Sequence, residues 1–151
     1  MEKNNLITIV YATNQNQLDL LNISIFSLLS NKLPTTKYAI KILCRGLSEI
    51  NRTTISTMCK FYDTDIEFID CVMYETKYKF TDEDLKENHV RTYLPAASFY
   101  RLLIPEILKH CEKVIYIDND TLVLKDLTAL YSTEIQTMYG MVKEVNHPSQ
   151  R

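Results

Sequence analysis

The sequence predicts an α/β domain in which helices flank a mostly parallel sheet. Short apolar runs rich in β-branched residues alternate with longer segments whose apolar residues recur at helical spacing. Only 2 Gly and 4 Pro occur among 151 residues, which argues against a loop-dominated or disordered chain. A chain of this length can bury a real core, so we expect residues 1–151 to form a single domain.

Strand–helix units open the chain. Residues 6–12 form a short apolar run that predicts a strand buried on both faces, and the polar residues 13–16 then lead into an amphipathic helix. A second strand is predicted over residues 38–44, followed by a helix with Ser48 as its N-cap, and residues 65–69 are a third strand candidate. Strands and helices that alternate at this interval favour a parallel sheet with right-handed crossovers.

The second half of the chain has a less regular pattern. Residues 71–94 predict a loop or lid region with one short helix after Thr81, where Asp84 completes a capping box. A long helix is predicted over residues 96–110, with a kink at Pro105 because proline has no amide hydrogen to donate. Further short strands are expected at residues 113–117, 122–124 and 139–142.

Composition and charge exclude several classes of partner. The formal net charge is -2 and the basic residues are scattered, so we expect no nucleic-acid partner and no strongly basic membrane-binding face. The first apolar run is too short for a signal peptide or a membrane span, which makes the cytoplasm the expected location. The cysteines form no CxxC pair and lie among apolar neighbours, which predicts reduced core thiols: Cys44, Cys59, Cys71 and Cys111.

An acidic triplet ends the predicted strand of residues 113–117. On an extended chain Asp118 and Asp120 would share one face, about 6.6 Å apart at Cα, while Asn119 would point the other way. Two carboxylates can hold a hard cation such as Mn²⁺ or Mg²⁺, usually together with substrate phosphates. Asp and Asn are also ordinary turn residues, but the carboxyl end of a buried strand is where open α/β sheets bind ligands.

Three separated segments form a pattern that is more specific than the acidic triplet alone. They are Val-Tyr-Ala-Thr-Asn at residues 10–14, Ser-Phe-Tyr-Arg-Leu at residues 98–102, and Lys-Val-Ile-Tyr-Ile-Asp-Asn-Asp-Thr-Leu-Val at residues 113–123. Together they resemble glycosyltransferase family 8, which includes lipopolysaccharide galactosyl- and glucosyltransferases and glycogenin. The resemblance implies a GT-A fold with a Rossmann-like sheet. It also implies an enzyme that transfers a hexose from UDP-glucose or UDP-galactose to a glycan acceptor, such as lipopolysaccharide, with retention at the anomeric carbon and with Mn²⁺ or Mg²⁺.

The resemblance also implies roles for individual residues. Asp118 and Asp120 match the metal-binding carboxylates, and Asp118 and Asn119 match residues that are placed beside the nucleotide. Arg101 matches an arginine that reaches the donor's sugar and phosphates. The residues that match the loop holding the uridine are Ala12, Thr13, Asn14 and Asn16.

The chain departs from the family pattern in three places. Asn14 stands where the family often has Asp, and Glu144 stands where many members have a shorter acid. Family members also continue into a segment that supplies a histidine as a third metal ligand. We therefore expect residues 1–151 to be the amino-terminal, nucleotide-binding portion, truncated at the C-terminus, with weakened metal binding and a tendency to self-associate. Catalytic residues stay unassigned, and any peripheral membrane contact would belong to the later segment.

Two other functions compete with the transferase. One is a non-catalytic UDP-sugar-binding or interaction module that has kept the nucleotide half of the enzyme. The other is a phosphatase of the haloacid dehalogenase class, which also ends a strand in Asp-x-Asp. Here Thr121 follows the triplet directly, whereas the phosphatase motif inserts a residue before its threonine.

Overall fold

The computed structural model describes residues 6–87, 95–136 and 140. Its four strands are β1 (Leu6–Thr13), β2 (Lys37–Cys44), β3 (Asp65–Asp70) and β4 (Ile115–Tyr116). The α-helices are α1 (Leu18–Ser30), α2 (Glu49–Phe61), α3 (Val72–Tyr78), α4 (Asp82–Glu87), α5 (Ile104–Ile107) and α6 (Thr128–Tyr131), and 3-10 helices span Gln15–Gln17 and Ala96–Leu103. The strands form one sheet in the order β3-β2-β1-β4, with every neighbouring pair parallel. The predicted α/β class is therefore confirmed.

The centre of the sheet is buried on both faces. β1 and β2 pair along their whole length, from Leu6 opposite Lys37 to Thr13 opposite Cys44. Alternate residues of β1 enter different cores, because Ile9 packs with α1 on one face and Val10 packs with the 3-10 helix Ala96–Leu103 on the other. This two-sided burial explains why the strand reads as a continuous apolar run.

The helix starts follow the capping signals in the sequence. The Ser48 hydroxyl accepts a hydrogen bond from the Asn51 amide at 3.3 Å, so it caps α2 as predicted. Thr81 and Asp84 exchange reciprocal side-chain-to-amide bonds of 2.9 and 3.1 Å before α4, which confirms the predicted capping box.

The predicted loop or lid over residues 71–94 is wrong in its first part. α3 begins directly after Cys71, and the Asp70 carboxylate accepts a hydrogen bond from the Val72 amide at 2.9 Å. The polar residues of α3 did not indicate a helix in the sequence, yet this segment is helical and Glu75 is buried in it. Residues 88–94 lie outside the described part of the chain.

The predicted long helix over residues 96–110 is also wrong. A 3-10 helix spans Ala96–Leu103, and the short α5 follows it with Pro105 in its first turn. Proline is tolerated there because the first amides of a helix have no intrahelical acceptor. The structure therefore places a helix start, rather than a kink, at this proline.

The strand that precedes the acidic triplet is shorter than predicted, and the one expected at residues 122–124 is absent from the described structure. β4 contains only Ile115 and Tyr116, although the Ile117 amide still donates to the Val10 carbonyl at 2.9 Å. The backbone of Val123 is bonded to α1 and its C-cap instead of a strand: its amide donates to Ser27 Oγ at 2.9 Å, and its carbonyl accepts from Nδ2 of the C-cap Asn31 at 2.9 Å. The strand predicted at residues 139–142 lies outside the described residues, apart from Gly140.

All four cysteines are free thiols, as predicted. Cys44, Cys59 and Cys71 are buried, and Cys111 is half-buried. Burial raises the pKa of Cys44 to about 11 and that of Cys59 to about 12, so both thiols stay protonated and unreactive at neutral pH. Within the part of the chain that the structure describes, no helix has the length and apolar character needed to cross a membrane.

Candidate functional site

Two pockets adjoin at the carboxyl edge of the sheet, with Ala97 in the wall of both. The first, which we call the acidic pocket, has a volume of about 220 Å³ and lies where β1 and β4 end. The second, which we call the amide pocket, has a volume of about 240 Å³ and lies where β1 and β2 end. Polar residues of the acidic pocket are Gln17, Ser98, Arg101, Tyr116, Asp118, Asn119 and Asp120. Polar residues of the amide pocket are Asn14, Gln15, Asn16, Arg45, Glu75, Asp82 and Tyr100.

The acidic triplet lies in a turn. The Thr121 amide donates to the Asp118 carbonyl at 3.1 Å, so the chain reverses as soon as β4 has ended. The expectation of an extended chain through the triplet is therefore wrong. Asp118 and Asp120 nevertheless both border the acidic pocket, and so does Asn119.

Asn119 fastens this turn to the end of β1. Its side chain is 8% exposed, and Nδ2 donates to the Ala12 carbonyl at 2.8 Å, to Thr13 Oγ1 at 3.3 Å and to Gln17 Oε1 at 3.1 Å. Its Oδ1 is buried and has no hydrogen-bond partner in the described structure. The amide group of Asn119 therefore holds Asp118 and Asp120 in place beside β1.

Asp118 is contacted by a cation and a phenol. Arg101 Nη2 lies 3.1 Å from Asp118 Oδ1, and the Tyr116 hydroxyl donates to the same oxygen at 2.9 Å. The Arg101 guanidinium also lies over the Tyr116 ring, 5.0 Å from its centroid. Burial, and then the neighbouring Asp118 charge, raises the pKa of Tyr116, so this phenol stays a hydrogen-bond donor.

The end of β1 and the residues that follow it are divided between the two pockets. Ala12 borders the acidic pocket, whereas Asn14 and Asn16 border the amide pocket. Asn14 Oδ1 accepts from the Asn16 amide at 3.0 Å and so caps the 3-10 helix Gln15–Gln17. Thr13 is fully buried, and its hydroxyl is bonded to the Asn14 carbonyl and to Asn119. Of the residues selected from the sequence, Thr13 alone lines neither pocket, so its contribution is to support its neighbours.

The sequence did not predict a network of three side chains in the amide pocket. Glu75 is 1% exposed, and its carboxylate accepts from Arg45 Nη1 at 2.7 Å and from the Tyr100 hydroxyl. The three side chains come from α3, from the loop after β2 and from the 3-10 helix Ala96–Leu103. A buried glutamate in a polar helix has no local signature, so only tertiary contacts could reveal this network.

The acidic pocket has the donor set of a hard-cation site. Asp118 and Asp120 supply carboxylate oxygens, which suit Mn²⁺ or Mg²⁺ rather than softer metals. Among the described residues no group of three His, Cys, Asp or Glu side chains could hold a metal ion. The residues present therefore fit a cation that takes its other ligands from a bound phosphate or from water.

The family model for glycosyl transferase family 8 matches residues 8–151, nearly the whole chain. The chain belongs to glycosyl transferase family 8. General stress protein A of Bacillus subtilis is 25% identical over 138 residues, which cover 89% of this chain and 45% of that protein. A putative glycosyltransferase of Haemophilus influenzae is 27% identical over 135 residues, which cover 88% of this chain and 37% of that protein. The chain thus spans less than half the length of these curated relatives.

Solved glycosyltransferases share the fold. The galactosyltransferase LgtC, in complex with donor and acceptor sugar analogs, has a TM-score of 0.66 and 27% identity over 85% of this chain and 43% of that one. The bifunctional glycosyltransferase WbbM also has a TM-score of 0.66, with 22% identity over 89% of this chain and 22% of that one. These likenesses confirm the predicted family and the predicted GT-A fold.

Proposed function

We propose that this chain forms the nucleotide-sugar-binding part of a retaining hexosyltransferase. The donor would be UDP-glucose or UDP-galactose, bound with Mn²⁺ or Mg²⁺, and the acceptor would be a glycan such as lipopolysaccharide. The observation that carries the proposal is the convergence of Asp118, Asp120 and Arg101 on one pocket at the carboxyl edge of a parallel sheet. The fold shared with LgtC, a protein solved with donor and acceptor sugar analogs, supports it.

The charges of the acidic pocket suit the departure of a diphosphate. Cleavage of the bond between the anomeric carbon and the diphosphate leaves negative charge on UDP, and a bound divalent cation would supply Lewis-acid stabilisation of that charge. Asp118 and Asp120 would hold the cation. Arg101 would add a fixed positive charge, and its position over the Tyr116 ring restricts where its guanidinium can lie.

The contacts of Asp118 leave room for a cation. Arg101 and Tyr116 both contact Oδ1, while Oδ2 makes no hydrogen bond among the described residues. Asp118 can therefore offer one oxygen to a metal ion while the other stays bound to the phenol. The Arg101 guanidinium can then turn from Asp118 toward a phosphate, because the salt bridge is half-exposed and weak.

A non-catalytic UDP-sugar-binding module is the second candidate. The observation that favours it is the pair of carboxylates without a third protein ligand in the described structure. Two carboxylates bind a divalent ion weakly, so nucleotide binding without turnover is a coherent function for this domain. Membership of family 8 gives no support to the phosphatase alternative.

Titration calorimetry tests the metal-dependent binding of UDP, which both candidate functions require. We expect UDP to bind in the presence of Mn²⁺ and to lose measurable affinity when EDTA replaces the metal. Asp120→Asn should abolish the metal-dependent binding, because it removes one of the two carboxylate charges. The matched control is Asp65→Asn, an exposed aspartate at the amino end of β3, which should bind like the unchanged chain.

Unchanged affinity in Asp120→Asn would contradict the proposed site. Once binding is established, hydrolysis or transfer of UDP-glucose and UDP-galactose separates the two candidates. Release of hexose from either donor supports the transferase, and binding without release supports the module.

A further inference from the structure

We infer that Arg45 binds the base of the nucleotide and that buried Glu75 and Tyr100 are positioning residues that orient its guanidinium. The inference rests on the proposed function, because it requires a nucleotide whose diphosphate lies in the acidic pocket. The inference gives this network of three residues a role in nucleotide specificity. The network takes no part in the proposed chemistry of Asp118, Asp120 and Arg101.

Glu75 makes the network rigid. Its side chain is almost fully buried, so its charge has to be compensated by partners inside the protein. Both oxygens are occupied, Oε2 by Arg45 Nη1 and Oε1 by the Tyr100 hydroxyl. Burial, and then the bond to Glu75, raises the pKa of Tyr100, so the phenol stays protonated and keeps donating.

Arg45 lies at the mouth of the amide pocket, and most of its N–H donors have no hydrogen-bond partner in the described structure. Its side chain is 44% exposed, and in the described part of the structure only Nη1 makes a hydrogen bond. It directly follows β2, and Gly46 then takes a left-handed conformation with φ of 63° that turns the chain at this edge of the sheet. A guanidinium held at one corner in this way presents its remaining N–H groups to a ligand in a fixed plane.

The chemistry of the amide pocket suits a base better than a hexose. Hexose hydroxyls both donate and accept hydrogen bonds, and buried carboxylates commonly accept from them. Here each oxygen of Glu75 already accepts a hydrogen bond from within the protein, and Asp82 Oδ1 accepts from the Ala96 amide at 2.9 Å. The donors of Arg45 match the carbonyl oxygens of a flat uracil ring.

The two pockets are placed for one nucleotide to reach both. They adjoin at Ala97, and the end of β1 contributes Ala12 to the acidic pocket while Asn14, just after β1, contributes to the amide pocket. The cation-binding carboxylates and Arg101 assign the diphosphate to the acidic pocket. The base then extends along the end of β1 into the amide pocket, toward Arg45.

The test compares UDP with ribose 5-diphosphate, which has the same charged group and no base. Calorimetry in Mn²⁺ should show that Arg45→Met weakens UDP binding by about tenfold or more, the loss of a hydrogen bond from a charged donor. The affinity for ribose 5-diphosphate should not change. Arg52→Met is the matched control, because it removes an arginine that lies over Phe68 outside both pockets, and it should bind both ligands normally.

Tyr100→Phe and Glu75→Gln test the positioning roles. Both keep Arg45, and both should lower the ratio of UDP affinity to ribose 5-diphosphate affinity, which a loss of stability alone would not change. Tyr100→Phe removes only a hydroxyl, so it keeps the test valid if Glu75→Gln fails to fold.

Equal weakening of both ligands by Arg45→Met would show that Arg45 contacts the phosphates and would overturn the inference. Unchanged UDP affinity in that variant would overturn it as well. Absence of metal-dependent binding of both ligands to the unchanged chain would instead overturn the proposed function, and this inference with it.

Discussion

The acidic pocket and the amide pocket share a wall at Ala97 but are held together in different ways. Asp118 and Asp120 lie on a turn, and their carboxylates are half-buried or exposed. In the amide pocket Glu75 and Tyr100 are both 1% exposed and bonded to each other. The carboxylates of the acidic pocket therefore lie at the protein surface, whereas Glu75 and Tyr100 of the amide pocket are part of the buried core.

Because of this difference, substitutions in the two pockets should differ in their effects on ligand binding and on the stability of the fold. Changing an exposed carboxylate of the acidic pocket should alter ligand binding and leave folding nearly untouched. Changing a buried member of the amide pocket should alter both, because its partners lose packing or hydrogen bonds. Two substitutions in the pockets test this contrast by their effect on the free energy of unfolding, and a third tests a carboxylate, Asp126, that lies outside both pockets.

The largest effect is expected from Tyr100→Ala in the amide pocket. The ring is buried among Val10, Leu43 and Leu103, so its removal should cost about 3–5 kcal/mol of unfolding free energy. Denaturant unfolding followed by circular dichroism measures it. A cost below about 1 kcal/mol would show that the two pockets do not differ in the way that their burial indicates.

A smaller loss is expected from Asn119→Ala, the buried member of the acidic triplet. Its Nδ2 satisfies Ala12, Thr13 and Gln17, so the substitution should cost about 2 kcal/mol. Asp120→Ala next to it is the control and should change stability by less than about 0.5 kcal/mol, because Asp120 is exposed. Equal losses of unfolding free energy in Asn119→Ala and Asp120→Ala would contradict the conclusion that Asn119 stabilises the turn and Asp120 does not.

The smallest effect, and one that depends on pH, is expected from Asp126→Asn. Although burial raises its pKa, hydrogen bonds from Thr128 and Leu33 outweigh that effect and hold the pKa of Asp126 well below its ordinary value. The unchanged chain should therefore keep this stabilisation above about pH 4 and lose it as the pH falls further. Asp126→Asn should cost about 1 kcal/mol at pH 7 and should flatten this acid-side decline.

Unfolding midpoints at pH 7 and pH 3 for Asp126→Asn and Asp120→Asn decide this prediction. Asp120→Asn is the matched control, because Asp120 is an exposed carboxylate in the turn after β4. Identical profiles for the two variants would show that Asp126 has no special role in the loop after the acidic pocket.

Local sequence determined much of the first half of the fold. The apolar, β-branched run of β1 and its alternation with amphipathic helices predicted parallel strands, because strands covered on both faces read as continuous apolar runs. Ser48, and Thr81 with Asp84, marked helix starts because capping involves residues only three positions apart. The triplet at Asp118 could be selected because a pair of carboxylates after a strand is itself a local pattern.

Tertiary structure decided what depends on contacts between distant segments. Val123 is bonded to side chains of α1 and its C-cap, 96 and 92 residues away, so the expected strand at residues 122–124 does not form. The partners of Glu75 lie 30 and 25 residues away in sequence, at Arg45 and Tyr100. Sequence by itself determined the strands β1, β2 and β3 and the carboxylates that follow β4, because those signals are periodic or adjacent. Only the folded chain decided how the two pockets are built, because burial of a polar side chain is set by partners that the local sequence does not contain.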